Sequence, residues 1–205
     1  EYNNYTKLLK KELSSAMGCT EPIAIAYTAA RAREVLEEKP VFIRVKSSAN
    51  IIKNARGVTV PNSGSLKGIK AAAILGIVGG NAHKELRVLE DVTKNNIEET
   101  KAFLTQDYCE VELLQTEIKL HIIIEVFSSN NKAVVETINH HSNIVKISKN
   151  DQVVFDKDIE NSDNNSLKEI KDSLTVKKIL KYADRVPLAD LEEVLQRQID
   201  LNTAI

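Results

Sequence analysis

Downstream of Asp107 the apolar residues recur with a period of two. Tyr108–Leu114, Lys119–Phe127, Lys132–Ile138, Ser142–Ser148 and Gln152–Phe155 each predict a strand. Ser128–Asn131 and Lys149–Asp151 supply turn residues between neighbours, which predicts an antiparallel meander. Leu120, Ile122, Ile124 and Val126 give one strand a wholly apolar face, expected to lie on helices. Upstream the period is helical. Leu8, Leu9 and Leu13 mark a first helix capped by Asn3 or Asn4, and Ile23–Glu38 is an alanine-rich helix stopped by Pro40. Val41–Ser47 is a strand, Ser48–Asn54 a polar turn or short helix, and Pro61–Gly64 a tight turn. Ser65–Val78 is a second small-residue helix ended by Gly79-Gly80, and Ala82–Leu104 is helical with a break near Asp91. Asn161–Ser166 is an asparagine-rich loop. Thr175 caps a helix through Tyr182, and Leu188, Leu191, Leu195 and Ile199 continue at helical spacing. The fold class is therefore α+β, an antiparallel sheet packed against alanine-rich helices. Residues 1–174 form the α+β domain and 175–205 a helical extension.

Composition narrows the function classes. A formal net charge of −1 on 205 residues gives no electrostatic reason for nucleic acid or an anionic membrane as partner. Ala71–Val78, the longest apolar stretch, is far too short to span a bilayer, and Glu1–Leu13 is too polar for a signal peptide. Two cysteines make no disulfide framework, so a reducing cytoplasm is the expected location.

The chemistry centres on Met17-Gly18-Cys19-Thr20-Glu21-Pro22. Pro22 suits a first helical turn, which Thr20 or Glu21 can cap. Cys19 then sits at the positive end of a helix dipole, a setting that favours the thiolate. The alternative is a buried cysteine at a helix entry, acting as a small hydrophobe. Gly64 and Gly68 open a glycine-bearing stretch that could expose backbone N–H groups to an anion, or simply turn tightly. It matches neither a P-loop nor a dinucleotide fingerprint. Asn50, Lys53 and Asn54 form a polar set in which Lys53 could pair with a carboxylate. His141 and Asn143 are expected on one strand face with Val145 and Ile147, whereas His140 points the other way. Cys109 reads as structural. His83 and His121 lack partners at ligand spacing, and His121 is expected to face solvent.

The stretch Gly-Cys-Thr-Glu-Pro-Ile-Ala-Ile-Ala resembles the signature of the L-cysteine desulfidase family, which is serine-dehydratase-like. Ser47–Asn54, Gly57–Gly80 and His141–Ile147 match that family in order. The resemblance covers the first half of the family's length. It implies an oxygen-sensitive [4Fe-4S] lyase that breaks L-cysteine, or L-serine, into pyruvate and ammonia, with sulfide from cysteine. Cys19 corresponds to one cluster ligand; the others belong to a second half that lies beyond the helical extension. Lys53 and His141 are the catalytic candidates. Asn50, Asn54, Gly64, Gly68 and Asn143 are the substrate-binding candidates. The chain departs from the family at Asn62, where a glycine is usual, and at Asn139-His140. The implied partners are an amino-acid substrate and the second half or a partner subunit, with self-association through the surface around Cys19 as a further expectation. With two cysteines the chain alone should neither hold a cluster nor turn over substrate. The alternative is a non-catalytic module that binds an amino acid.

Overall fold

The computed structural model describes residues 2–13, 15–157 and 169–203. The Asn161–Ser166 loop lies outside the described residues. The chain divides into two units, Ala16–Lys157 and a helical one made of Glu1–Ser15 with Asp158–Ile205.

The larger unit is α+β. Helix α2 (Thr20–Leu36) is followed by β1 (Phe42–Ser47), α3 (Ala49–Ala55), α4 (Gly68–Gly79), a 3-10 segment (Ala82–Arg87) and α5 (Lys94–Leu104). Then come β2 (Cys109–Leu113), β3 (His121–Phe127), β4 (Lys132–Ile138), β5 (Ile144–Lys149) and β6 (Gln152–Asp156). The six strands form one sheet in the order β2-β1-β3-β4-β5-β6. From β3 to β6 it is the expected antiparallel meander. Strand β2 is not part of that meander: it pairs parallel with β1, with Ile43 opposite Cys109. Parallel strands need a long crossover, and the helices between β1 and β2 provide one.

Alternation decides which face is covered. Leu120, Ile122, Ile124 and Val126 are all buried, as are Ile43 and Val45 of β1. Against them lie α2 and α4, whose alanines are buried on nearly every side. Two buried threonines tie the layers together: Thr28 of α2 and Thr137 of β4 share a hydrogen bond of 2.9 Å. Small side chains let α2 and α4 cross closely. A Cβ built on Gly76 would lie 2.3 Å from the Ala26 carbonyl oxygen, so only glycine fits there. Arg33 of α2 donates to the carbonyls of Ile77 and Gly80 at 2.8 and 2.9 Å, satisfying the C-terminal end of α4. The opposite sheet face is ionic. Glu125, 7% exposed, accepts from Lys46 at 3.1 Å and lies 3.4 Å from Arg44 and 3.6 Å from Lys132. Arg44 also pairs with Glu112 of β2 at 2.9 Å.

The helical unit contains α1 (Tyr2–Glu12), α6 (Val176–Ala183) and α7 (Glu192–Thr203). Among its described residues Tyr5, Leu8, Tyr182 and Leu191 are buried hydrophobics. Thr175 caps α6 as predicted, accepting from the Lys178 N–H. Thr6 and Tyr182 share a hydroxyl–hydroxyl bond of 2.8 Å. Among the described residues no helix is long and apolar enough to cross a membrane.

Candidate functional site

The entry to α2 gathers the chemistry. Gly18 turns the chain at φ +123°, a conformation open to glycine, and sits beside Pro61. Cys19, in extended conformation, is the N-cap of α2, and its side chain makes no capping bond. The expected cap was Thr20 or Glu21; both instead lie inside the first turn. This frees the Glu21 carboxylate to collect donors. It accepts from the Cys19 thiol at 3.3 Å, the Thr20 hydroxyl at 3.4 Å and the Asn54 amide of α3 at 3.2 Å. His141 is close enough to act on Glu21 electrostatically.

These contacts set the ionisation. Burial pushes the Glu21 carboxyl up, but the Cys19 and Asn54 bonds and the His141 ring outweigh it and hold Glu21 below the usual carboxylate value. Burial, then the bond to Glu21, push the Cys19 thiol up. The helix-dipole argument for a thiolate is thus overruled locally: a thiol that donates to a carboxylate keeps its proton. Burial also pushes the His141 imidazole down, against the opposing pull of Glu21, so the ring favours its neutral form. The group can therefore offer a carboxylate, a neutral imidazole, a thiol and an amide side by side.

Not every sequence-predicted residue joins it. Asn50 and Lys53 stand exposed on α3, and their side chains make no hydrogen bond or ion pair to the described residues. Gly64 and Gly68 adopt φ +77° and +88°. At Gly68 a Cβ would sit 2.9 Å from the Arg56 carbonyl oxygen, so its glycine answers a backbone need. Asn62, where the family pattern has glycine, holds φ +55° and donates to the Leu89 carbonyl at 2.8 Å; asparagine tolerates this conformation. Asn143 donates to the Ile138 carbonyl at 3.0 Å and accepts from Lys157 at 2.9 Å, closing the β4–β5 turn. His141 and Asn143 do not share a strand face, because β5 begins only at Ile144 and both lie in that turn. The turn begins at Asn139, with φ +64°.

Two further roles, of an acid and a histidine, differ from the sequence expectation. Glu21 suits a helix cap by pattern, and its position two residues after a cysteine at a helix start is the signal for the role it has here. His121 does not face solvent unpaired: its ring bonds Glu136 at 2.7 Å and Thr116 at 3.2 Å. Cys109 is buried at the start of β2, which pushes its thiol up to about 12.

The donor set of this chain does not fit an iron–sulfur cluster by itself. Among the described residues no three histidine, cysteine or acidic side chains group in a way that could hold a metal. Cys19 is half-buried at a helix start and Cys109 is buried in a strand.

No protein-family model matches the chain. It is 45% identical over 204 residues to a UPF0597 protein of Lachnoclostridium phytofermentans, covering all of this chain and 48% of that protein. A UPF0597 protein of Treponema denticola is 40% identical over 205 residues, again 100% of this chain and 48% of the relative. One of Finegoldia magna is 45% identical over 98% of this chain and 48% of its own length. The chain spans about half the length of the curated relatives it matches. None of these relatives is named a desulfidase or a dehydratase. The assignment to the L-cysteine desulfidase family is corrected accordingly: the full-length similarity of this chain is to the UPF0597 proteins.

Proposed function

We propose that this chain is one part of a longer cytoplasmic lyase that degrades L-cysteine or L-serine to pyruvate and ammonia, with sulfide from cysteine. Cys19, Glu21, Asn54 and His141 are its contribution to the active site. The observation that carries this reading is the array in which one carboxylate accepts from a thiol and an amide beside a half-buried imidazole. In β-elimination a base takes the α-proton while the C–S or C–O bond breaks. The leaving sulfide or hydroxide departs with that electron pair, and water then hydrolyses the resulting enamine, through its imine, to pyruvate and ammonia. His141, favouring its neutral form, has a ring nitrogen free to take a proton. Glu21, held ionised, suits the substrate ammonium, and the Asn54 amide suits a carboxylate. Cys19 would give one thiolate to a [4Fe-4S] cluster whose other ligands lie outside this chain.

One observation favours a second reading. The Cys19 thiol is pushed up and donates to Glu21, as it would in a site that binds an amino acid without reacting. The full-length protein separates the two. With L-cysteine, pyruvate formation should fall by about a hundredfold or more in Cys19→Ala and in His141→Asn, and stay near normal in Cys109→Ala. Calorimetric binding of L-cysteine or L-serine with no pyruvate from wild type would instead establish the binding module. Equal loss from Cys109→Ala would place the chemistry elsewhere.

A further inference from the structure

Two helices of the helical unit leave apolar sides uncovered. In α6, Val176, Ile179 and Leu180 recur at i, i+3 and i+4 and so share one side. They are 75, 47 and 60% exposed, while Tyr182 is buried. In α7 no residue is buried. Leu195 and Ile199, one turn apart, form its apolar stripe, and with Leu201 they are 37, 58 and 49% exposed.

Length makes this exposure informative. Helix α6 has 8 residues and α7 has 12. Isolated helices shorter than about 12–15 residues are marginal in water, and short helices in proteins hold by packing an apolar side. Both helices have such a side, and the described residues do not cover it. The residues outside the described ones bring only Ile159, Leu167 and Ile205 as large apolar side chains, too few to cover the six. The relatives at 45 and 40% identity align with all of this chain over only 48% of their own length, so about as much chain again is present in a full-length protein.

We propose that α6 and α7 belong to a helical bundle completed by the remaining part of the full-length protein, which docks helices on the Val176–Ile179–Leu180 and Leu195–Ile199 stripes. Stripes at this spacing suit helix-on-helix packing. A segment of the same polypeptide meets them at an effective concentration of about millimolar, so it outcompetes a second copy. The proposal shares with the proposed function only the premise of a longer protein, and its readout does not depend on catalysis.

The test is hydrogen–deuterium exchange with peptide mass spectrometry on the 205-residue chain and on the full-length protein. Peptides of α6 and α7 should exchange about a hundredfold or more slowly in the full-length protein than in the chain alone, whereas β3 and β4 should be equally protected in both. In the full-length protein Ile179→Ser/Leu180→Ser should restore fast exchange to α6 and speed exchange in at least one peptide of the remaining part, with β3 and β4 unchanged. Ile199→Ser, a milder change, should do the same to α7. The proposal is overturned if α6 and α7 are as protected in the chain alone as in the full-length protein. Light scattering then assigns the cover to a second copy if the chain is a dimer and to the chain itself if it is a monomer. It is also overturned if α6 and α7 exchange fast in the full-length protein, or if neither variant changes exchange in the remaining part.

Discussion

Gly76→Ala tests the close crossing of α2 and α4 on which the larger unit is built. Intrinsic propensity favours alanine inside a helix by about 1 kcal/mol. Contact geometry opposes it. The new Cβ would lie 2.3 Å from the Ala26 carbonyl oxygen and 2.8 Å from its Cα, whereas ordinary contact begins at 3.4 Å. The obstacle is backbone, so no rotamer change relieves it, and the helices must separate by about 1 Å. Separation loosens a layer in which Ala26, Ala29, Ala30, Ala72 and Ala73 are fully buried. Overpacking typically costs about 1–3 kcal/mol, and a clash with rigid backbone belongs at the upper end or above. The net expectation is a loss of about 3 kcal/mol, a large part of a typical domain's stability. Gly57→Ala is the control. Nothing lies within 4 Å of its Cβ, so the substitution should be neutral or stabilising by about 0.5 kcal/mol. Urea unfolding followed by far-ultraviolet circular dichroism reads both. A Gly76→Ala protein as stable as wild type would refute the argument that the crossing requires a glycine.

Three other outcomes follow from the same contacts. Arg33→Ala removes two charged hydrogen bonds from the end of α4 and should cost about 2 kcal/mol by chemical denaturation; no loss would mean that water replaces the guanidinium. Cys19 should react with iodoacetamide well before the buried Cys109, and Glu21→Gln should speed Cys19 alkylation at neutral pH, because Glu21 helps to hold that thiol protonated; slower alkylation in Glu21→Gln would reverse the assigned sign. Burial raises the Glu125 carboxyl, but Lys46, Lys132 and Arg44 together hold it below its ordinary value of 4.5. A depressed folded value means stability present above the unfolded pKa and lost as pH falls through the folded one. Acid should therefore destabilise wild type more than Glu125→Gln, and identical acid profiles would contradict the ion cluster's contribution.

Local pattern carried most of the fold. The stripe Leu120–Val126 announced a strand with one buried face, and it is buried residue for residue. The partner of β2 was not legible, because Cys109–Leu113 alternates equally well beside β1 or β3. The choice rests on the helical crossover and on Arg44 reaching Glu110 and Glu112, both long-range facts. The partner of His121 is hidden from the sequence for the same reason: Glu136 meets it only through the β3–β4 register. At the candidate site, Cys19 and Asn54 were visible as polar residues beside breaks in the pattern. The role of Glu21 is hidden behind its equal suitability as a helix cap. Gly64 and Gly68 both hold positive φ, with a carbonyl against Gly68, so each glycine also meets a backbone need that the sequence pattern does not separate from ligand binding.

The most direct test of the Cys19 site is substrate protection in the full-length protein. Iodoacetamide modification of Cys19 would be followed by peptide mass spectrometry with increasing L-serine, which lacks a competing thiol, and D-serine would serve as control. If Cys19, Glu21, Asn54 and His141 line the amino-acid site, L-serine slows modification saturably and D-serine does not. A rate of Cys19 modification that L-serine leaves unchanged would contradict the account.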